Sequence, residues 1–500
     1  MMRRWLPGAD PLREDVWRDV DNMVPTPRGT YHTMPTFSSA TLTGGNAGTA
    51  NYVTYLAWTT QIANGTAVTY IAGETSSGSG NFYVESLSGT TLTNRSTGGT
   101  NFGTGMDGTK IAFAQMGNTS LFASNDPSVG GLWSRDASGS SNFAIGNLSA
   151  GRILVVQSNA LLMYNLVDGG AAKPNYWMAS DLFAPTTFTG GESVSATAVV
   201  TTPGEITAAV PFGGVSIFFK RAGVYRHRYV GTSAVKWTVE CLRTDLGVKS
   251  QHAVIDTGNS IIFLGEMGVW EYDGGNFRCL SEDFATGYYL TNPLANFYSC
   301  TASMYFPADQ MCVWFNSTGC LFYNRRTGAF GRGTFYAQSD GSALTGYVPI
   351  TGKVSALVEA AQIGGAGSYS FIEGMSLVNV SAARYRQSDQ SWRGANSAYV
   401  KTSVLGDYMT DTTIDQVVPK LRDGHGVYTF ASGYVADDGL SCVVNGTTVN
   451  SSTDRKHFDV GTTFTYPDGV DVKIQSRGSG YNGVWEIEDV ILDNKMTGQS

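Results

Sequence analysis

Charge is sparse in this chain. Of 500 residues only 15% are Asp, Glu, Lys or Arg, the net charge is -8, and no run of Lys or Arg exceeds two residues. A surface that grips nucleic acid by counterion release needs clustered cations, so that class is excluded, although a mildly acidic wall past which DNA slides is not. There is no apolar run of 18 residues, and no membrane-spanning helix is expected. The opening "MMRRWLPGADPLREDVW" has Arg but neither an apolar stretch nor a small-residue cleavage site, so no secretory leader is expected there.

Catalytic and ligand-binding signatures are also missing. No G-x-S-x-G, G-x-x-x-x-G-K-[ST], H-E-x-x-H or helix-opening G-x-G-x-x-G occurs. The five histidines, His32, His227, His252, His425 and His457, lack metal-ligand spacing and read as packing or surface residues. The six cysteines, Cys241, Cys279, Cys300, Cys312, Cys320 and Cys442, form no C-x-x-C pair. They read as buried free thiols, with one or two disulfides left open among the five between 241 and 320. No catalytic, cofactor-binding or metal residue is assigned, and no cofactor is expected.

What is abundant is glycine, at 61 residues, and aromatics, at 12%. With plentiful Thr, Ser and Asn, this composition suits many short strands joined by tight turns. A loose unit recurs, made of a small or polar residue, an aromatic strand, a polar turn and an apolar close. It begins at Asn81, Gly131, Asn175, Gly223, Gly268, Gly319 and Gly367, at spacings of 50, 44, 48, 45, 51 and 48. The closest match is between "GGVSIFFKRAGVYRHRYVGTS" and "GNSIIFLGEMGVWEYDGGNF". Between the markers, "SNA", "FGG", "TGNS" and "PADQ" supply the turns of further strand pairs. A period near 48 holding four strands describes a propeller blade, so the fold expected is an all-β β-propeller of six or seven four-stranded blades.

The ends of the chain break the period. Residues 1–40 hold five of the fifteen prolines and read as an extended N-terminal arm, with at most a helical turn or two near Leu12 to Val20. Such an arm is expected to lie along another surface and to become ordered on binding it. Residues 41–382 are assigned to the propeller. Residues 383–500 hold about six longer alternating strands and read as an added C-terminal β-sandwich-like domain.

Three features invite an enzymatic reading. "SRDASGSSNF" resembles the Asp-box of sialidases, but Asp136 and Gly139 stand one residue too far apart and Phe143 replaces Trp. Arg152, Arg243 and Arg278 could serve a propeller glycosidase only by converging on the axis. Asp437-Asp438-Gly439 and Pro467-Asp468-Gly469 read as turns. A propeller glycosidase or a glycan-binding adhesin is therefore the alternative reading, and scattered surface arginines the simpler one.

The sequence blocks themselves add a resemblance. "DNMVPTPRGTYHTMPTF", "GRILVVQSNALLMYNL", "GGVSIFFKRAGVYRHRYVG" and above all "LGVKSQHAVIDTGNSIIFLGEMGVWEYDG", where Gly247 to Ser250 would link two blades, resemble the tail hub and nozzle proteins of short-tailed bacteriophages, of the packaged-DNA stabilisation type. The resemblance covers roughly residues 20–290. It implies a virion structural protein rather than an enzyme, made in the host bacterial cytoplasm and assembled as a homo-hexameric ring in the tail. Its implied partners are the portal and adaptor proteins, other tail components, and DNA passing through without sequence specificity.

Overall fold

A strand that is apolar on both faces needs a cover on both sides, and this chain makes such strands repeatedly. Ile261–Gly265 and Met311–Phe315 are buried along their whole length, as is nearly all of Ala160–Asp168. In the computed structural model each is the second strand of an antiparallel four-stranded blade. The structure describes most of residues 16–352, the longer gaps being 47–51, 76–79, 283–293 and 335–346, and outside that span only strand segments.

Six blades, I to VI, are built from consecutive strands, and together they form a β-propeller. Blade I runs from Val53–Gln61 to Thr91–Asn94, blade II from Ile111–Met116 to Ala144–Asn147, and blade III from Ala150–Gln157 to Val194–Ala198. Blade IV runs from Ile206–Phe212 to Trp237–Arg243, blade V from Val254–Asp256 to Phe277–Cys279, and blade VI from Ala302–Phe306 to Ala329–Thr334. The repeat markers fall together: Asn81, Gly131, Asn175, Gly223, Gly268 and Gly319 each lie at or in the third strand of a blade. Gly367 lies outside the described residues. The expected turns also form. Ser158 and Asn159 (φ 51° and 59°) and Gly213 and Gly214 (φ 54° and 82°) close two-residue hairpins in the left-handed conformation that matches strand twist.

The ring closes through strands distant in sequence. Tyr347–Gly352, Glu373–Ser376 and Ala383–Gln387 form an antiparallel set whose fourth strand is Phe37–Thr41, from the beginning of the chain. On one side this closing unit touches the first strand of blade VI. On the other, Ile350, Thr351 and Gly352 pair in parallel with Ala57, Trp58 and Thr59 of blade I. Phe37–Thr41 thus completes the closing unit.

Apolar seams hold the blades face to face. Tyr70 and Phe82 of blade I meet Phe122 and Trp133 of blade II. Leu121 and Leu132 pack with Leu161 and Met163 at the next seam, and Tyr164 and Trp177 with Phe218 and Trp237 beyond it. The largest cluster joins blades IV to VI and takes in Val20, Met23 and Tyr31. Each buried aliphatic or aromatic side chain contributes about 1.5–3 kcal/mol, so a blade without neighbours would leave most of its stabilisation in water.

The N-terminal segment is not a free arm over residues 16–33. Val16–Asp21 is a strand paired with Tyr399–Thr402, and Tyr31–Thr33 pairs with the strand Glu486–Gln499. With Arg4–Trp5 and Met23–Pro25, these strands enter a six-stranded and a five-stranded sheet whose other members come from the C-terminal region. The helical turn expected before Val20 is therefore corrected to strand from Val16 onward, because a partner nearly 400 residues away offers backbone pairing that no local pattern reveals. The same segment covers the outer edge of blade VI. Arg332 donates to Asp19 and Asp21, both at 3.2 Å, Tyr31 OH donates to the Phe330 carbonyl at 2.7 Å, and Thr334 N donates to Asn22 Oδ1 at 2.7 Å.

Gly331 sits under this cover with no room for a side chain: a Cβ would fall against the Met23 carbonyl and the Pro25 ring. Gly331→Val is expected to cost about 1–3 kcal/mol by overpacking and to lift residues 16–33 from blade VI. Limited proteolysis should then cut first within that segment, whereas the wild-type chain resists there.

Candidate functional site

The residues that suggested an active site are scattered. Asp136 ends the third strand of blade II, and its carboxylate accepts from Ser138 Oγ at 2.6 Å and Ser138 N at 3.0 Å, which holds its pKa below the usual carboxylate value. The Asp-box-like stretch is thus a self-contained hairpin turn. Arg152 lies in the first strand of blade III and pairs with Glu205 at 3.7 Å. Arg243 and Arg278 lie in the fourth strands of blades IV and V, where Arg243 pairs with Asp245 and Arg278 with Glu271. First and fourth strands are the opposite edges of a blade, so the three arginines do not converge. Asp437, Asp438, Pro467 and Asp468 lie outside the described residues, as do His425 and His457. The six cysteines are free thiols, and burial pushes Cys300 up to about 12.

What the structure does gather is polar side chains in the seams. Asn165 occupies a left-handed bulge (φ 55°) in the second strand of blade III. Asn125 of blade II donates to its carbonyl and its Oδ1, both at 3.1 Å, while Asn165 Nδ2 donates to the Ile206 carbonyl at 3.0 Å and to Glu205 Oε2 at 3.1 Å. One side chain thereby ties three blades. Between blades III and IV, Tyr164 OH donates to Ser216 Oγ at 3.0 Å and meets His227 Nδ1 at 2.9 Å. His227 is fully buried among Trp177, Phe218 and Trp237, and burial lowers its pKa to about 3. Lys220, also fully buried, donates to the Val199 carbonyl at 3.0 Å and to that of Thr202. Between blades IV and V the Gly247–Ser250 link behaves as expected: Val248 N reaches the Lys220 carbonyl at 3.2 Å and Ser250 Oγ the Cys300 carbonyl at 2.6 Å.

None of these seam groups was visible as a site in the sequence, because Asn, Tyr, Ser and Lys there stand at no motif spacing. Asn165 could have been flagged as the polar break in the otherwise apolar run "ALLMYNLV".

No family model matches this chain, and no curated protein does. Among solved structures it is similar to the extracellular domain of a hybrid two-component system of B. thetaiotaomicron, at 11% identity and a TM-score of 0.42, over 86% of this chain. The chain spans about half the length of that structure, 47%.

The outer surface is uneven. All the large exposed hydrophobic residues described fall between 145 and 239, in blades II to IV and their connections, led by Leu148, Phe183 and Val200 at 75%, 74% and 79% exposure. Phe183 is presented by a built loop. Its own N–H donates to the Asn159 carbonyl at 2.7 Å, and Asp181 Oδ1 accepts from Leu182 N and Glu192 N at 2.9 and 2.7 Å. Its φ of 59° is a strained value for a bulky residue. The fourth strands Ala144–Asn147 and Val194–Ala198, "AIGN" and "VSATA", carry neither charge nor proline, the usual protections of a bare sheet edge. Blade VI, by contrast, has its edge covered by the N-terminal strands. Along this arc the surface presents exposed apolar side chains and uncharged fourth strands.

Two measurements test the seam description. In urea unfolding, Asn165→Ala should lose about 2–4 kcal/mol, since buried partners in three blades are left unsatisfied, and Asp136→Ala less than about 1 kcal/mol. His227 binds its proton more readily unfolded, near its ordinary 6.5, than folded, near 3. Its contribution is therefore complete above pH 6.5 and is lost as the pH falls toward 3, by up to about 1.4 kcal/mol per unit. His227→Phe should flatten that part of the stability profile.

Proposed function

We propose that this chain is a structural subunit of a short-tailed bacteriophage tail, a hub or nozzle that assembles as a six-membered ring. In this role it closes the channel below the portal and adaptor, retains packaged DNA and conducts it outward at ejection. The observation that carries the reading is the uneven surface: an apolar, edge-exposing arc on blades II to IV, with terminal strands covering blade VI. A closed ring needs two different complementary faces on every subunit, and an asymmetric shell of this kind supplies them. The resemblance over residues 20–290 points the same way. Large β architectures that unfold slowly suit a part that must withstand the pressure of packaged DNA. The low charge and net -8 suit a wall that DNA slides past.

Negative-stain images of the purified chain and of virions provide the test. A six-fold ring at the tail is the expected result, and release of reducing sugar from capsular or lipopolysaccharide glycans would instead favour the glycosidase reading. The combined Leu148→Ser and Phe183→Ser variant should fold with stability within about 1 kcal/mol of wild type and fail to form rings, because both side chains are solvated in the single subunit.

A further inference from the structure

Seven described arginines have a carboxylate within ion-pairing distance: Arg152, Arg221, Arg226, Arg243, Arg278, Arg325 and Arg332. Arg95 and Arg135, adjacent at the seam between blades I and II, are held differently. Arg135 is 4% exposed, and its guanidinium donates to the Ser141 carbonyl at 2.6 Å, the Gly139 carbonyl at 2.7 Å and Tyr70 OH at 2.6 Å. Arg95 donates to the Ser140 carbonyl at 2.7 Å and Ser86 Oγ at 2.9 Å. Two guanidiniums therefore share three consecutive carbonyls of one turn, and all five of these acceptors are neutral. Burial, and then the charge of Arg135, hold Arg95 below its ordinary basicity.

A nearly buried cation beside a second cation is costly unless an anion is near. Asp136, the residue after Arg135, feels its charge but is fully exposed and already bound to Ser138. Arg95 is only partly buried, its Nη2 makes no hydrogen bond to a described residue, and Phe143 N donates to its carbonyl at 2.8 Å, which fixes its backbone against blade II. The turn beside it, residues 138–141, is exposed and rich in hydroxyls.

We propose that Arg95 and Arg135 form a binding site for a small oxyanion group, a phosphate, sulfate or carboxylate, at the joint of blades I and II. Arg95 makes the direct contact through its outward N–H groups, and Arg135, locked behind it, supplies fixed positive charge. The ligand group is either free or carried on a sugar. The site is independent of the tail assignment, since it uses neither the arc on blades II to IV nor ring formation.

The test is a thermal-melting titration of the full chain with inorganic phosphate, against chloride at matched ionic strength. Phosphate is expected to raise the melting temperature saturably, in the manner of a ligand with a millimolar Kd. Arg95→Gln, measured against its own melting temperature in chloride, should remove at least half of the phosphate-specific rise. Asp136→Asn, which deletes the competing carboxylate, should tighten phosphate binding about two- to five-fold. Glucose 6-phosphate distinguishes the source: binding at least ten-fold tighter than phosphate marks a sugar-borne group, and equal binding marks a free one. A phosphate response no larger than that of chloride, or one that Arg95→Gln leaves intact, overturns the site.

Discussion

Every blade of this protein is a sheet with two apolar faces, and that single constraint governs the rest. A sheet covered on one side is stable only in a stack, and a stack has two bare ends unless it bends into a ring. The seams at Tyr70–Trp133, Leu121–Met163, Tyr164–Phe218, Phe219–Phe263 and Ala253–Trp314 cover neighbours pairwise, but the first and last blades still need each other. Parallel pairing of Tyr347–Gly352 with Ala57–Thr59, and completion of the closing unit by Phe37–Thr41, meet that need. Because the closing strand comes from the other end of the chain, the ring is joined by non-local backbone pairing, a topology that forms slowly and also resists unfolding.

Polar groups in the seams add direction to what hydrophobic contact leaves loose. Apolar faces slide past one another at little cost, whereas the Asn125–Asn165–Ile206 chain of hydrogen bonds exists at one register only. Tyr164, Ser216 and His227 act in the same way between blades III and IV. A stiff scaffold of this kind is suited to work through its outer surface, and its uneven covering, with terminal strands over blade VI and uncharged fourth strands on blades II and III, gives the surface a front and a back.

The propeller was readable because its signals are local. A glycine or asparagine opening an aromatic strand marks the third strand in six blades, and "SNA" and "FGG" announce turns whose left-handed residues few others tolerate. The integration of residues 16–41 was not readable, since it depends on partners at Tyr399–Thr402 and Ala383–Gln387. Proline content suggested an arm, and tertiary pairing overrode it. The Asp-box-like stretch was legible as a turn, but its organising residue is Arg135, whose acceptors are set by the folded turn and by Tyr70 of the preceding blade. The exposed arc escaped notice because Leu148, Phe183 and Val200 look like core residues in a sequence.

Closure by the N-terminal strand is the claim on which this account rests, and amide hydrogen exchange of the full chain tests it most directly. The account predicts that amides of Phe37–Thr41 exchange as slowly as those of Ala383–Gln387, and that deleting residues 37–41 accelerates exchange in Tyr347–Gly352 and Val53–Gln61 while blades III and IV stay protected. Exchange at loop-like rates throughout 37–41 in the intact chain, with the first strands of blade I still protected, would contradict it.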